Sequence, residues 1–225
     1  MNQPSHTTKR IALSAALMAQ SLGGWAGEQP AATDVHQAEA PVAICATVQA
    51  FAGEALVLDS SRAHVDDARV GRGVACEGWV SVQTGWIELK HRDGHFIRMG
   101  SSSFAQFNGE AESVTLLRGM LHARTVDEGA ELRLVTPNAR ARIRQGSGIL
   151  VYKPESQRSQ WVTLERVAAF ENRFQEESHV TVAEGEGSVL DLSKVRVVPV
   201  QPRAITVASL KPLLKSLDFP EKATA

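Results

Sequence analysis

Aromatic residues are scarce in this 225-residue sequence, and so is any excess of charge. Phe, Trp and Tyr make up 5% of the chain, with a single tyrosine, which is poor material for a sugar-binding platform of stacked rings. Lysine and arginine number 24 against 25 acidic residues, for a net charge of −1. This balance gives no general attraction to nucleic acid or to an anionic membrane. After the N-terminus, no apolar run is long enough to span a bilayer as a helix.

Cysteine is equally rare, with only Cys45 and Cys76 present. Neither lies in a C-x-x-C pair or near a histidine in sequence, so no metal site is predicted there. In an exported protein an even number of cysteines favours a disulfide. A Cys45–Cys76 bond would contribute about 3–4 kcal/mol of stability in the chain-entropy model. The alternative is two buried free thiols. We expect the disulfide, and we expect neither a metal nor a cofactor.

The N-terminus has the pattern of a secretory signal peptide. Lys9 and Arg10 precede a short apolar run over residues 11–22, and Gly24 and Ala26 occupy the positions that signal peptidase reads. The alternative is an uncleaved anchor, which the shortness of the apolar run disfavours, because a spanning helix needs about 20 apolar residues.

We therefore predict a signal peptide over residues 1–26 and a periplasmic protein with no membrane span after cleavage. Removal of residues 1–26 leaves 22 basic against 25 acidic residues, a net charge of −3. Residues 27–40 lack apolar periodicity and are predicted to be a flexible lead.

Turn signals recur every 6 to 10 residues along residues 85–152, and short alternating apolar runs separate them. These signals are Gly85, Asp93 with Gly94, Gly100, Asn108 with Gly109, Gly119, Glu128 with Gly129, Pro137 with Asn138, and Gly146. Short strands at such regular spacing indicate an all-β sandwich, barrel or solenoid. We predict a mainly β domain over residues 41–207, built as a twisted β-solenoid-like stack or a sandwich of short strands.

A short C-terminal helix is predicted over residues 209–217, within a helix and tail that occupy residues 208–225. Four leucines at positions i, i+3, i+4 and i+7 share one helical face: Leu210, Leu213, Leu214 and Leu217. Ser209 is predicted as the N-cap. We expect this face to cover the open end of the β stack, with docking of a partner as the alternative.

Three arginines are the candidate binding residues. Arg140, Arg142 and Arg144 alternate with Ala141 and Ile143, which places the three guanidinium groups on one exposed face of a strand. Such a row suits an acidic partner, a phosphate-bearing glycan or an anionic head group. The alternative is a solvated face that protects a sheet edge from aggregation.

Other candidate sites are weaker, and we expect no catalytic residue. His91 and His95 could bind a metal with Asp93, but no third soft ligand is near, so solvated turn residues are the favoured interpretation. Neither residues 101–103 nor Ser147 has the G-x-S-x-G spacing of a nucleophile elbow. These serines are therefore predicted to be structural.

The order of turns and strands over residues 85–152, about a third of the chain, resembles the FecR domain family. The matching elements are Asp93 with Gly94, the apolar strand 96–99, Gly100, Ser103, the leucine-rich strand ending at Gly119, Thr136 with Pro137, and the strand 146–151. Two positions depart from the family pattern, since Ser147 stands for threonine and Ile149 for an aromatic residue.

The resemblance implies a periplasmic β module that binds proteins. FecR-type regulators relay signals from outer-membrane receptors to cytoplasmic sigma factors, through a cytoplasmic helical segment and a membrane helix that this sequence does not show before the β domain. We therefore expect a non-catalytic module that contacts a periplasmic or envelope protein in signalling or assembly. The alternative is a module that binds cell-wall glycan or another envelope polymer.

Overall fold

The computed structural model describes residues 42–109, 113–126, 131–192 and 198–218. The predicted signal peptide, the predicted lead over residues 27–40, the turn signal at residues 128–129 and the tail from residue 219 lie outside these residues. Strands make up 61% of the described part, with one short α-helix. The prediction of a mainly β fold with a short C-terminal helix is confirmed.

The strands run as follows: β1 Ile44–Ala52, β2 Ala55–Leu58, β3 Val65–Asp67, β4 Gly73–Ala75, β5 Trp79–Val82, β6 Trp86–His91, β7 Phe96–Gly100, β8 Ser103–Asn108, β9 Ser113–Arg124, β10 Leu132–Val135, β11 Ala139–Ile143, β12 Gly146–Lys153, β13 Arg158–Asn172, β14 Gln175–Ala183, β15 Glu186–Asp191 and β16 Arg203–Ala204. A 3-10 turn, Pro154–Ser156, separates β12 from β13, and the helix α1 spans Val207–Ser216.

Two sheets share the long strands β9 and β13. The first sheet has the order β4-β1-β6-β7-β9-β12-β13-β15-β16, and the second has the order β3-β2-β5-β8-β9-β10-β11-β13-β14. The first half of β9 pairs with β8 and β10, and its second half pairs with β7 and β12. Each long strand therefore passes from one sheet into the other.

Five of these strands close into a barrel. β9 pairs with β12, β12 with β13, β13 with β11, β11 with β10, and β10 returns to β9 in a parallel pairing. Closure removes the edges of these strands, which would otherwise expose unpaired backbone groups. The strand pairing thus gives a closed barrel with extra strands, and the predicted solenoid-like stack or sandwich is not confirmed.

The change of sheet along β9 depends on Gly119. Its φ is +87°, and an added Cβ would lie 2.6 Å from the Cα of Ser103. The pairing of β8 with β9 is irregular next to Ser103, where the register shifts. Here the Ser103 hydroxyl donates a hydrogen bond to the Met120 carbonyl at 2.9 Å and accepts one from the Met120 amide at 2.9 Å. The Ser103 hydroxyl therefore links β8 to β9 at this point.

The main core lies between the inward faces of the two sheets. Its largest fully buried side chains include Trp161, Phe107, Phe170, Ile87, Leu89, Ile97, Met99, Leu116, Leu121, Leu132, Leu134 and Ile143. Because side chains alternate across a strand, the residues between these point outward. The second sheet carries the polar groove described below on its outward face.

Helix α1 lies on the outward face of the first sheet. Its leucine face joins a second apolar cluster with Ile149, Val151 and Val162, and Leu217 is fully buried there. The helix therefore covers a sheet face instead of the open end that was predicted. The N-cap is Thr206, whose hydroxyl accepts a hydrogen bond from the Ser209 amide at 3.3 Å. The prediction of Ser209 as the cap was wrong, because the helix begins two residues before it.

Candidate functional site

A groove of about 1090 Å³ lies on the outward face of the second sheet. The strands β8, β9, β10 and β11 supply its floor, with the outward side chains Gln106, Asn108, Ser113, Thr115, Arg133, Val135 and Arg140. The walls come from Ala43, Cys76, Glu77, Arg92, Gly109 and Arg173. We call this surface the arginine groove.

The register of the strands brings the floor residues together. Gln106 lies opposite Thr115 across β8 and β9, and Thr115 lies opposite Val135 across β9 and β10. Val135 in turn lies opposite Arg140 on β11. Residues directly opposite one another point to the same side of a sheet. The outward side chains of the four strands therefore form one continuous floor.

A buried acid holds two of the three predicted arginines. The carboxylate of Glu171, on β13, is 1% exposed and lies 3.2 Å from Arg140 Nη1 and 3.1 Å from Arg142 Nη2. A carboxylate removed from water needs such partners, because an unpaired buried charge is very unfavourable. Glu171 thus fixes the two guanidinium groups side by side on the outward face of the barrel.

The three arginines share a strand face, as predicted, but they differ in position. Arg140 lines the groove, whereas Arg142 and Arg144 are not among the residues that line it. The side chain of Arg144 is 83% exposed, and its Nε lies 3.4 Å from a carboxylate oxygen of Glu131. Binding of an acidic partner by this row stays a prediction.

Sequence analysis missed the other arginines of the groove. The period of two predicts the outward position of Arg133, which alternates with the buried Leu132 and Leu134, but it does not indicate that Arg133 lines a groove. Arg92 and Arg173 lie in turns that precede β7 and β14. No local pattern connects those turns with β11, because only the tertiary fold brings them together.

One corner of the groove is built around the Cys45–Cys76 disulfide, which confirms the predicted bond. Gly109 packs so closely on it that an added Cβ would lie 2.8 Å from Cys76 Cβ. Arg92 donates to the Gly109 carbonyl at 2.9 Å, and the Gly109 amide donates to Glu77 at 3.0 Å. These contacts hold the end of β8 against the turn between β4 and β5.

His91 and His95 are buried, so the expectation of solvated turn residues was wrong. They are 2% and 1% exposed, because the β6–β7 hairpin directs both rings inward, with the His91 amide bonded to the His95 carbonyl at 2.8 Å. Asp93 Oδ2 lies 3.0 Å from His91 Nδ1. Burial lowers the pKa of His91, although the Asp93 carboxylate opposes this shift. The described residues hold no group of three or more metal-ligating side chains.

Ser147 is also buried, at the start of β12. Its neighbour Gly148 packs against the ring of Trp161. Both positions lie on β12, one of the five strands of the closed barrel.

Comparison with known proteins identifies the fold but not the family. No family model matches the sequence, and no curated protein matches it. Two crystal structures of a "putative anti-sigma factor from Parabacteroides distasonis ATCC 8503", at 1.65 and 2.50 Å resolution, are similar to it. Each gives a TM-score of 0.51 at 13% identity, over 60% of this chain.

The chain spans less than two thirds of those neighbours, since the matches cover 64% and 63% of their lengths. At this identity the likeness shows a shared fold. It is consistent with the resemblance to the FecR domain, which no family model confirms. Within the described residues, the chain has no helix with the length and apolar character of a membrane span.

Proposed function

We propose that this protein is a non-catalytic, periplasmic protein-interaction module that acts in envelope signalling or assembly, and that the arginine groove binds an acidic segment of its partner. The groove is the observation that carries the proposal. The fold shared with an anti-sigma factor candidate supports a role in signalling.

The lining of the groove suits a polar, extended ligand. Pockets for small organic molecules are mostly apolar, whereas only Ala43 and Val135 contribute apolar aliphatic side chains among the described lining residues. Among the described residues that line the groove, four guanidinium groups face one carboxylate, that of Glu77. Guanidinium groups fork onto carboxylates with matching geometry. A segment that carries Asp or Glu side chains therefore fits the groove best.

Neighbouring acids neutralise part of this positive charge. Glu171 pairs with Arg140, and Glu131 lies 3.2 Å from Arg133 Nε. The arginines therefore act as local hydrogen-bond donors, not as a source of long-range attraction. A guanidinium carries five N–H groups, so the bond from Arg133 Nε leaves the Nη groups of that side chain for a ligand. Arg133 is 51% exposed, which keeps these donors accessible.

The proposed compartment rests on two features. The signal-peptide pattern over residues 1–26 predicts export, and a disulfide persists in oxidising compartments such as the periplasm. The Cys45–Cys76 bond supports this assignment.

Recovery of partners from an envelope extract tests the groove. The variant Arg133→Ser with Arg173→Ser removes two exposed lining arginines, neither of which is seen to pair with the buried Glu171. We expect it to recover the wild-type partner about tenfold less, equivalent to about 1.4 kcal/mol. The matched control, Arg69→Ser with Arg158→Ser, removes the same charge at two exposed positions that do not line the groove and should bind as the wild type does. Equal recovery by both variants would refute the proposal.

Binding of an envelope polymer is the second candidate. The amide and hydroxyl groups of Gln106, Asn108, Ser113 and Thr115 favour it, because they can bond to sugar hydroxyls. Against it, no aromatic ring is among the described residues that line the groove. Co-sedimentation with purified peptidoglycan distinguishes the two candidates. Loss of sedimentation in the Arg133→Ser, Arg173→Ser variant would support this second function.

A further inference from the structure

We infer that the arginine groove and an apolar depression beside it form one recognition surface for a partner segment with carboxylates at one end and large apolar side chains at the other. The inference rests on the proposed function for the groove and adds the apolar half. It specifies the partner segment by chemistry and by spacing.

The depression has a volume of about 430 Å³ and lies on the outward side of β2, β5, β8 and β9. Its lining is largely apolar and includes Leu56, Leu58, Val65, Phe104 and Leu117. Val65 is 49% exposed, and the other four are partly exposed on their strands. Such adjoining apolar side chains on an outward face mark an interaction surface.

The two hollows lie side by side on the same sheet. On β8, Phe104 lines the depression and Gln106 lines the groove; on β9, Leu117 lines the depression and Thr115 lines the groove. Residues two apart on a strand point to the same side and lie about 7 Å apart. The surface thus changes from polar to apolar within one step along two neighbouring strands.

A bulge in β9 enlarges the apolar side. The β8–β9 register shifts between Phe104 and Ala105, so that Leu117 and Arg118 both lie near Phe104. A bulge places two residues of one strand against one residue of the other. Both Leu117 and Arg118 therefore contribute to the wall of the depression.

A stack of side chains fixes the junction between the two halves. The rings of Trp79 and Phe104 lie 5.0 Å apart at an angle of 12°, and the Arg62 guanidinium lies 3.7 Å from the centre of the Trp79 ring. Trp79 also lies opposite Gln106 across β5 and β8. Because these rings hold Phe104 in place before binding, the surface loses little conformational freedom when a segment docks.

The chemistry of the two halves selects the occupant. The arginines match carboxylates, and the leucines with Phe104 match aliphatic or aromatic side chains. An extended chain advances about 3.3 Å per residue, so the facing edges of the two halves are about two residues apart. We expect the acidic and apolar positions of the partner segment to lie within about six residues of each other.

Selection from a displayed library of random twelve-residue peptides tests the inference with the purified mature protein. We expect enrichment of peptides that carry Asp or Glu and, within about six residues, Leu, Phe, Ile or Val. The variant Leu117→Ser with Val65→Ser should bind these peptides about tenfold more weakly. In its own selection it should enrich acidic peptides without a nearby Leu, Phe, Ile or Val. Val65→Ser alone changes a half-exposed site and should show part of the same loss of peptide binding. It therefore tests the apolar half even if Leu117→Ser disturbs folding. Val167→Ser, at an exposed apolar site on β13, is the matched control and should bind as the wild type does.

The outcomes separate this inference from the proposed function. Acidic peptides without an apolar requirement, bound equally by the Leu117→Ser, Val65→Ser variant, would overturn the inference and leave the groove proposal standing. Enrichment without carboxylates, unaffected by Arg133→Ser with Arg173→Ser, would overturn both.

Discussion

At the scale of single residues, Gly148 shows how tightly the barrel is packed. An added Cβ would meet the ring of Trp161 and lie 2.6 Å from the Val162 carbonyl oxygen. Trp161 is fully buried, so its ring cannot move aside without disturbing the core. We predict that Gly148→Ala lowers the free energy of unfolding by about 1–3 kcal/mol, the usual effect of overpacking. Urea unfolding measures this, and an unchanged midpoint would show that the ring relaxes freely.

His122 makes stability depend on pH. Burial, followed by the nearby charges of Arg98 and Arg124, lowers the pKa of His122 to about 4 from 6.5. Between these values the unfolded chain binds a proton that the folded chain does not, so stability rises with pH across this window and is lost as pH falls. The buried His91, whose pKa is also lowered, acts in the same direction.

We therefore predict that the folded protein loses on the order of 2 kcal/mol through His122 between pH 7 and pH 5. His122→Asn, which does not titrate, should reduce this loss in urea unfolding at the two pH values. An identical pH dependence in the variant would mean that His122 titrates alike in the folded and unfolded states.

At the scale of elements, Leu217, the C-cap residue of helix α1, contributes to stability by anchoring the helix on the first sheet. Leu217 is fully buried in the apolar cluster on the first sheet. Leu217→Ala should therefore lower the free energy of unfolding by about 2–5 kcal/mol, whereas Val207→Ala, at a 70% exposed position of the same helix, should change it little. Thermal unfolding followed by circular dichroism compares the two variants. Equal melting temperatures would show that the helix does not dock on the sheet.

Elements also show how far the sequence predicts the fold. The period of two placed Leu132 and Leu134 inward and the arginines of β11 outward, because alternation is a local property of the strand. Barrel closure is not local: Glu171 lies 31 positions from Arg140 in sequence, and no pattern around either residue indicates their ion pair. The same limit explains why the burial of His91 and His95 was not predicted. A polar turn predicts exposed side chains unless the packing of the hairpin is known.

At the scale of the whole molecule, the groove is a local cationic site on a chain with a net charge of −1. Its arginines come from β10, β11 and two turns, and the tertiary fold brings them to one groove. The sequence predicts the outward position of Arg140, whereas the grouping of Arg140 with the other described arginines of the groove depends on the fold.

Site-specific photo-crosslinking in cells tests the central claim most directly. A photoreactive amino acid at Thr115, in the floor of the groove, should give a discrete crosslinked adduct with a partner protein. The same amino acid at Lys90, exposed on the first sheet, should not, and adding Arg133→Ser with Arg173→Ser to the Thr115 probe should remove the adduct. Adducts of equal yield from both positions, or an adduct from Thr115 that persists without the two arginines, would contradict recognition through the groove.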